Sequence, residues 1–190
     1  MKFNHDNISP LDSRYANKIS ELRENFSESA LIKIRFDIEI EWLLYICVNL
    51  PKTFKPLSKQ SIKKITKFKD SFDNKSVLKI KKIESTTNHD VKAVEYYIRD
   101  YFLKDKVLST YTHLIHFGLT SEDINSLSYA HMIKNGIFIY VKELDKVNKI
   151  LKNYSKKWAK QPFLARTHGQ AASPSTLGKE FKVFHERINK

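Results

Sequence analysis

The 190-residue chain carries 34 Lys and Arg against 21 Asp and Glu, a formal net charge of +13, with 41% hydrophobic residues, four Gly and five Pro. Such a composition supplies a hydrophobic core and excludes collagen-like, linker-rich and wholly disordered classes. The positive charge is mostly lysine, 28 Lys to six Arg, mixed with acidic residues along stretches such as residues 62–83. That pattern reads as solvated helix faces rather than the one-sided, arginine-centred surface of a nucleic-acid reader.

Residues 1–10 are polar and hold no apolar signal core, and no apolar run approaches the ~20 residues that span a bilayer. The one cysteine, Cys47, sits in the apolar run 42–48 and reads as a small core residue, since one thiol builds neither a disulfide framework nor a zinc site. A reducing, cytoplasmic compartment is expected, with no membrane. The first twenty or so residues, with Ser9-Pro10-Leu11-Asp12-Ser13-Arg14-Tyr15, mix turn formers and charges and read as an irregular arm. From Ser27 the apolar positions Leu31, Ile34, Ile38, Trp42 and Tyr45 recur at helical spacing until Pro51.

A second stripe, Ile62, Ile65, Phe68 and Phe72, lies on a lysine-covered helix, and Asp73-Asn74 marks a break. Helix resumes over residues 77–83, Thr86-Thr87-Asn88 supplies the next start, and Val91, Val94, Ile98 and Tyr101 repeat at helical intervals. Residues 108–112 form the expected domain seam, where the lysine-dense pattern ends. Thr120 then reads as a cap, with Asp123 three residues on. The intervals from Ile137 through Val141, Leu144, Val147, Leu151 and Tyr154 to Trp158 predict one helix over about residues 121–160, ended by Gln161-Pro162. A helix of that length belongs in a bundle or coiled coil. Ser173-Pro174-Ser175 is expected to open a last helix with Phe181, Phe184 and Ile188 as its stripe, and the chain is expected to stop within it.

Three polar clusters stand at predicted helix ends. Asn88-His89-Asp90-Val91-Lys92 offers exposed amides beside a His and a Lys, which suits a phosphate or carboxylate; alone, it also reads as an ordinary cap. His116-Phe117-Gly118-Leu119-Thr120-Ser121 combines a Gly turn, two hydroxyls and a helix start, although capping by itself explains Thr120. Ala165-Arg166-Thr167-His168-Gly169-Gln170 reads as a polar loop between two helices, with an imidazole suited to acid–base work or simply solvated. No dinucleotide or phosphate-loop glycine pattern, serine elbow or metal-ligand spacing occurs, and His113, His116, His131 and His185 read as core or surface residues.

Taken in order, the Ser9–Tyr15 segment, Thr87-Asn88-His89-Asp90-Val91-Lys92-Ala93-Val94-Glu95-Tyr96, Phe117-Gly118-Leu119-Thr120-Ser121-Glu122-Asp123-Ile124-Asn125 and Arg166-Thr167-His168-Gly169-Gln170 resemble adenylosuccinate lyase, in its bacterial branch with a long amino-terminal arm. The Thr-Ser and Thr-His-x-Gln elements are shared across the fumarase/aspartase superfamily. The Arg-Tyr arm and the Asn-His-Asp-Val-Lys-Ala segment carry the narrower resemblance.

The resemblance implies an all-α fold. Residues 1–110 would be a small helical amino-terminal domain with a substrate-binding arm, and residues 111–190 the first long helices of a central bundle. It implies β-elimination of fumarate from adenylosuccinate and from the succinylated imidazole carboxamide ribotide, with no metal and no organic cofactor. His168 would be the general acid. Arg14 and Tyr15 would bind the nucleotide phosphate, Asn88, His89 and Asp90 would contact substrate, and Thr120 and Ser121 would hold a succinyl carboxylate. Partners would be the purine nucleotide substrate and, for the full-length chain, a homotetramer whose sites draw on three subunits.

Ser13 replaces a usual Gly, and Ala171 a usual Pro. The family's mobile Ser-Ser-x-Met-Pro-x-Lys-x-Asn-Pro loop, with its serine base, is absent from these residues. The chain is therefore expected to be an amino-terminal portion, inactive alone. The alternative is a truncated product acting at most as a helical interaction fragment.

Overall fold

The computed structural model describes residues 8–190; residues 1–7 of the polar stretch noted above lie outside the described residues. The chain forms two compact units that divide at Gly136 and Ile137.

The first unit opens with two short 3-10 turns, Pro10–Asp12 and Ala16–Lys18. Ser9 accepts from the Leu11 amide, and Pro10 occupies a first position where its missing N–H costs nothing. Ser13 adopts φ −126°, so the arm turns there without left-handed backbone. Where the pattern reads as irregular, a short helix α1 (Ser20–Phe26) follows. Its Leu22 and Phe26 stay exposed, which leaves hydrophobic periodicity little to report. The anchor is polar instead: the Asn25 amide donates to the Met132 carbonyl at 2.7 Å.

The central element is α2 (Glu28–Asn49), capped by the Ser27 hydroxyl and ended two residues before Pro51. It packs against α1, α3 (Lys59–Asp70), α4 (Asn74–Thr87) and α5 (Asp90–Phe102). Asp73 and Ser76 form a reciprocal capping box at the break before α4. The amphipathic helices α3 and α5 turn Ile65, Phe68, Val94, Ile98 and Phe102 inward, and α2 contributes Ile32, Phe36, Ile40, Leu43 and Ile46. Phe36 meets Phe68 edge-on at 5.1 Å and Phe72 at 4.7 Å, geometries favoured by the ring quadrupole. A 3-10 segment, Leu108–Leu114, joins this core, and the Tyr111 hydroxyl donates to the Pro56 carbonyl at 3.0 Å.

Next comes α6 (Ser121–Lys157), 37 residues or about 55 Å at 1.5 Å per residue. Its Ile133, Ile137, Tyr140 and Val141 are exposed at intervals of three and four, an apolar face on one side of the helix, and Phe138 and Ile150 are exposed on other sides. In the second unit the sequence expectation needs correcting. The polar loop around residue 168 and the helix start at Ser173 are instead a β-hairpin, β1 (Pro162–Thr167) with β2 (Gln170–Thr176). Thr167 pairs with Gln170, so His168 and Gly169 form a two-residue turn, with φ +50° and +76°. Positive φ at both positions matches the right-handed strand twist, and Gly takes it without strain. Ser173 is held extended by the following Pro174, which delays α7 (Leu177–Ile188) until Thr176 caps it. Among the described residues the architecture is all-helical apart from this one hairpin.

Helix α7 rests on the carboxyl end of α6 through Phe181, which meets Tyr154 and Trp158 at 5.4 and 5.3 Å. A Cβ at Gly178 would lie 2.4 Å from the Ser155 carbonyl oxygen, so only glycine permits this approach. Gly178→Ala is expected to cost about 1–3 kcal/mol. Phe36→Ala, which empties a fully buried aromatic site, should cost about 3–5 kcal/mol. Urea unfolding measures both; a Phe36→Ala loss below about 1 kcal/mol would contradict the packing described.

Candidate active site

Backbone geometry places the first predicted cluster at a sharp junction. Asn88 closes α4 in the left-handed region at φ +50°, which Asn tolerates better than most residues. His89 then caps α5, its Nδ1 accepting from the Lys92 amide at 3.3 Å. An Nδ1 acceptor leaves the ring proton on Nε2, so His89 presents an N–H donor on its other edge. Asn88, His89 and Asp90 are all exposed. The cap is therefore the histidine, not the Asn or Thr the sequence suggested.

The second cluster also turns on left-handed backbone, with φ +60° at His116 and +70° at Gly118. The amide and hydroxyl of Thr120 both donate to Asp123 Oδ2, at 2.7 and 2.9 Å. Those two bonds, with the charge on His116, hold the Asp123 carboxyl below its ordinary range. Thr120 thereby shapes the turn, its carbonyl also accepting from the Asp123 amide at 3.1 Å, and Ser121 beside it is half-buried.

Beneath these exposed ends lies a charged floor on α2. Arg35, its side chain 5% exposed, pairs with Asp90 Oδ2 at 2.8 Å and donates from Nε to Asn125 Oδ1 at 3.0 Å. One guanidinium thus ties the first residue of α5 to the first turns of α6. Burial pushes the Asp90 carboxyl up, but the Val91 amide and the Arg35 charge outweigh it and hold the group below the usual carboxylate range. One turn later, Glu39 Oε1 lies 2.6 Å from His116 Nδ1. His116 Nε2 lies 3.8 Å from Glu95 Oε1, and Glu95 Oε2 accepts from Lys92 at 2.8 Å. The Glu39 hydrogen bond raises the His116 pKa, burial opposes it, and the charges of Glu39 and Glu95 add to the rise.

Arg35 thus meets Asp90 of the first predicted cluster and Asn125, four residues beyond Ser121 of the second. Arg14 and Tyr15 lie together on the arm, with the guanidinium carbon 5.5 Å from the ring centre. His168 occupies the exposed hairpin turn of the second unit, where Arg166 donates to the Gly169 carbonyl at 3.4 Å. Among the described residues no group of three His, Cys, Asp or Glu is placed to hold a metal ion, and no helix is long and apolar enough to cross a membrane.

Residues 13–190 match the family described as Lyase. The chain belongs to this lyase family. It is 39% identical over 186 residues to the adenylosuccinate lyase of Buchnera aphidicola subsp. Schizaphis graminum, covering 96% of this chain and 41% of that one. It is 40% identical over 190 residues to that of Dictyostelium discoideum, with 95% and 40% covered. Against that of Escherichia coli strain K12 it is 40% identical over 178 residues, with 91% and 38% covered. The lyase chain thus spans about two fifths of the length of the curated relatives it matches, an amino-terminal portion. The fold matches a fumarate lyase from Mesorhizobium sp. BNC1 with a TM-score of 0.71 at 18% identity, covering 89% of this chain and 37% of that one.

Sequence reasoning passed over the lyase's buried floor. Arg35 and Glu39 lie inside a helix whose apolar stripe dominates the pattern, and His116 by sequence reads as a core or surface residue. The available signal was an opposite-charge pair four residues apart within that apolar pattern, on the same helix face. Arg35→Met is expected to cost about 1.5–3 kcal/mol at neutral pH, the usual worth of charged hydrogen bonds. A depressed Asp90 pKa contributes stability above the unfolded value of ~3.9 that is lost as pH falls through the folded value. The difference between variant and parent should therefore narrow on acidification in urea titrations; a pH-independent difference would refute the Arg35–Asp90 linkage.

Proposed function

We propose that this lyase is an adenylosuccinate lyase of purine biosynthesis and that its 190 residues supply the substrate-binding arm, two anion-binding helix starts and the general acid. The observation that carries the reading is the 39–40% identity to adenylosuccinate lyases across at least 91% of the chain. The reaction is a β-elimination. A base takes the proton from the carbon beside a carboxylate, charge builds as an aci-carboxylate, and an acid protonates the departing nitrogen as fumarate leaves. The substrates are adenylosuccinate, giving AMP, and the succinylated imidazole carboxamide ribotide on the route to IMP.

His168 is the proposed acid, on a turn whose backbone leaves the ring exposed. Arg14 and Tyr15 would hold the nucleotide phosphate, and Asn88, His89 and Asp90 would contact the substrate, with the His89 Nε2–H directed at the leaving group. The turn at Thr120 and Ser121 would take a succinyl carboxylate on Ser121 and the first amides of α6. Residues 1–110 would form the amino-terminal domain and 111–190 the beginning of the central bundle. The exposed apolar face of α6 supports assembly of the full-length protein as a homotetramer, in the cytoplasm. The scheme calls on no metal or organic cofactor. Its serine base would come from the signature loop, which these residues lack, so the 190-residue piece alone is proposed to be inactive.

Fumarate release from adenylosuccinate by the protein isolated from its source cells tests the assignment. Turnover of argininosuccinate, aspartate or malate in place of adenylosuccinate would overturn it. In the full-length protein, His168→Gln should retain the parental circular dichroism and lose about a hundred- to ten-thousand-fold in turnover, the range for a general acid; near-normal turnover would sink the acid role.

A further inference from the structure

Glu39 has no part in the scheme above, yet its side chain is fully buried. Only one of its oxygens is bonded, to His116; Oε2 has no hydrogen-bond partner. An unpaired buried carboxylate oxygen is destabilising, and an apolar side chain would fill the same space without that cost. What an apolar side chain cannot supply is a fixed negative charge at His116 Nδ1.

His116 meets charged groups on three helices: Glu39 on α2, Glu95 and Lys92 on α5, and Asp123 in the first turn of α6. Carboxylates outnumber the single ammonium, so the surroundings favour imidazolium. Donation from Nδ1 to Glu39 also fixes the ring plane, and the same residue holds left-handed backbone at the start of the turn leading to Ser121. The ring is the anchor, and the turn is built on it.

We infer that Glu39 is a positioning residue of the proposed lyase site: acting through His116, it fixes the turn over residues 117–121 and keeps a positive charge beside the succinyl carboxylate. This rests on the adenylosuccinate lyase reading. Glu39 touches no substrate; its effect reaches substrate through the imidazole and the turn.

The test is Glu39→Gln in the full-length protein as its source cells make it, with adenylosuccinate kinetics across pH. Near pH 8 the KM should rise about tenfold or more while kcat changes less than about threefold, because charge pairing of this kind is worth about one to three pKa units. Near pH 5.5, where an imidazole is charged unaided, the KM difference should shrink to within about twofold. The alkaline limb of kcat/KM, which reports the free enzyme, should move to lower pH by about one unit or more. Equal losses at both pH values, or an unmoved KM and profile, overturn the inference. Should Glu39→Gln not fold, the His116 ring titration by NMR in the unsubstituted protein decides: a midpoint above ~6.5 is expected, and one at or below it overturns the inference. Absence of adenylosuccinate turnover by the unsubstituted protein instead overturns the proposed function, and this inference with it.

Discussion

Burying Arg35 and Glu39 one turn apart on α2 sets the terms for the rest of the first unit. Taking a guanidinium and a carboxylate out of water costs several kcal/mol each unless geometry returns it. The return comes from three directions: Asp90 at the start of α5, Asn125 near the start of α6, and His116 in the turn between them. None of these partners is adjacent to α2 in the chain. Arg35 and the bonded oxygen of Glu39 find their partners only when α5, the His116 turn and the start of α6 have all reached their places, so polar pairing reinforces the arrangement that hydrophobic packing makes possible.

That arrangement explains why the exposed polar residues collect at helix starts. Unpaired amides at a helix amino terminus need acceptors, and α5 and α6 meet the need differently. His89 caps α5 through Nδ1 and keeps its other ring edge outward. Thr120 spends both of its donors on Asp123, which stiffens the turn ahead of Ser121. In both places local capping draws on the groups proposed to hold an anion. A segment of this kind looks like an ordinary cap until the floor beneath it is known.

Legibility followed the physics of each element. The helices α2, α3, α5 and α6 were readable because their apolar residues recur at the helical period and Ser, Asp or Pro marks their ends. α1 was not, because its apolar residues stay exposed and Asn25 is anchored to Met132, more than a hundred residues away. The hairpin was missed because β1 and β2 are largely exposed and carry no alternating pattern. Its one local signal was His168-Gly169, a pair able to take positive φ twice, and it was read as a loop. Arg35 and Glu39 were hidden by the apolar helix around them.

The amino-acid sequence by itself determined the helical class, the long run of α6, the caps at Ser27 and Asp73, and the segments where polar chemistry concentrates. These depend on periodicity and on side chains bonding to nearby backbone, both of which are local. Tertiary structure alone decided that His116 is bonded to the buried Glu39 rather than standing as a lone core or surface histidine, that Arg35 joins the starts of α5 and α6, and that Thr120 serves Asp123. Those outcomes depend on which groups lose water together, and that is settled only when distant segments pack.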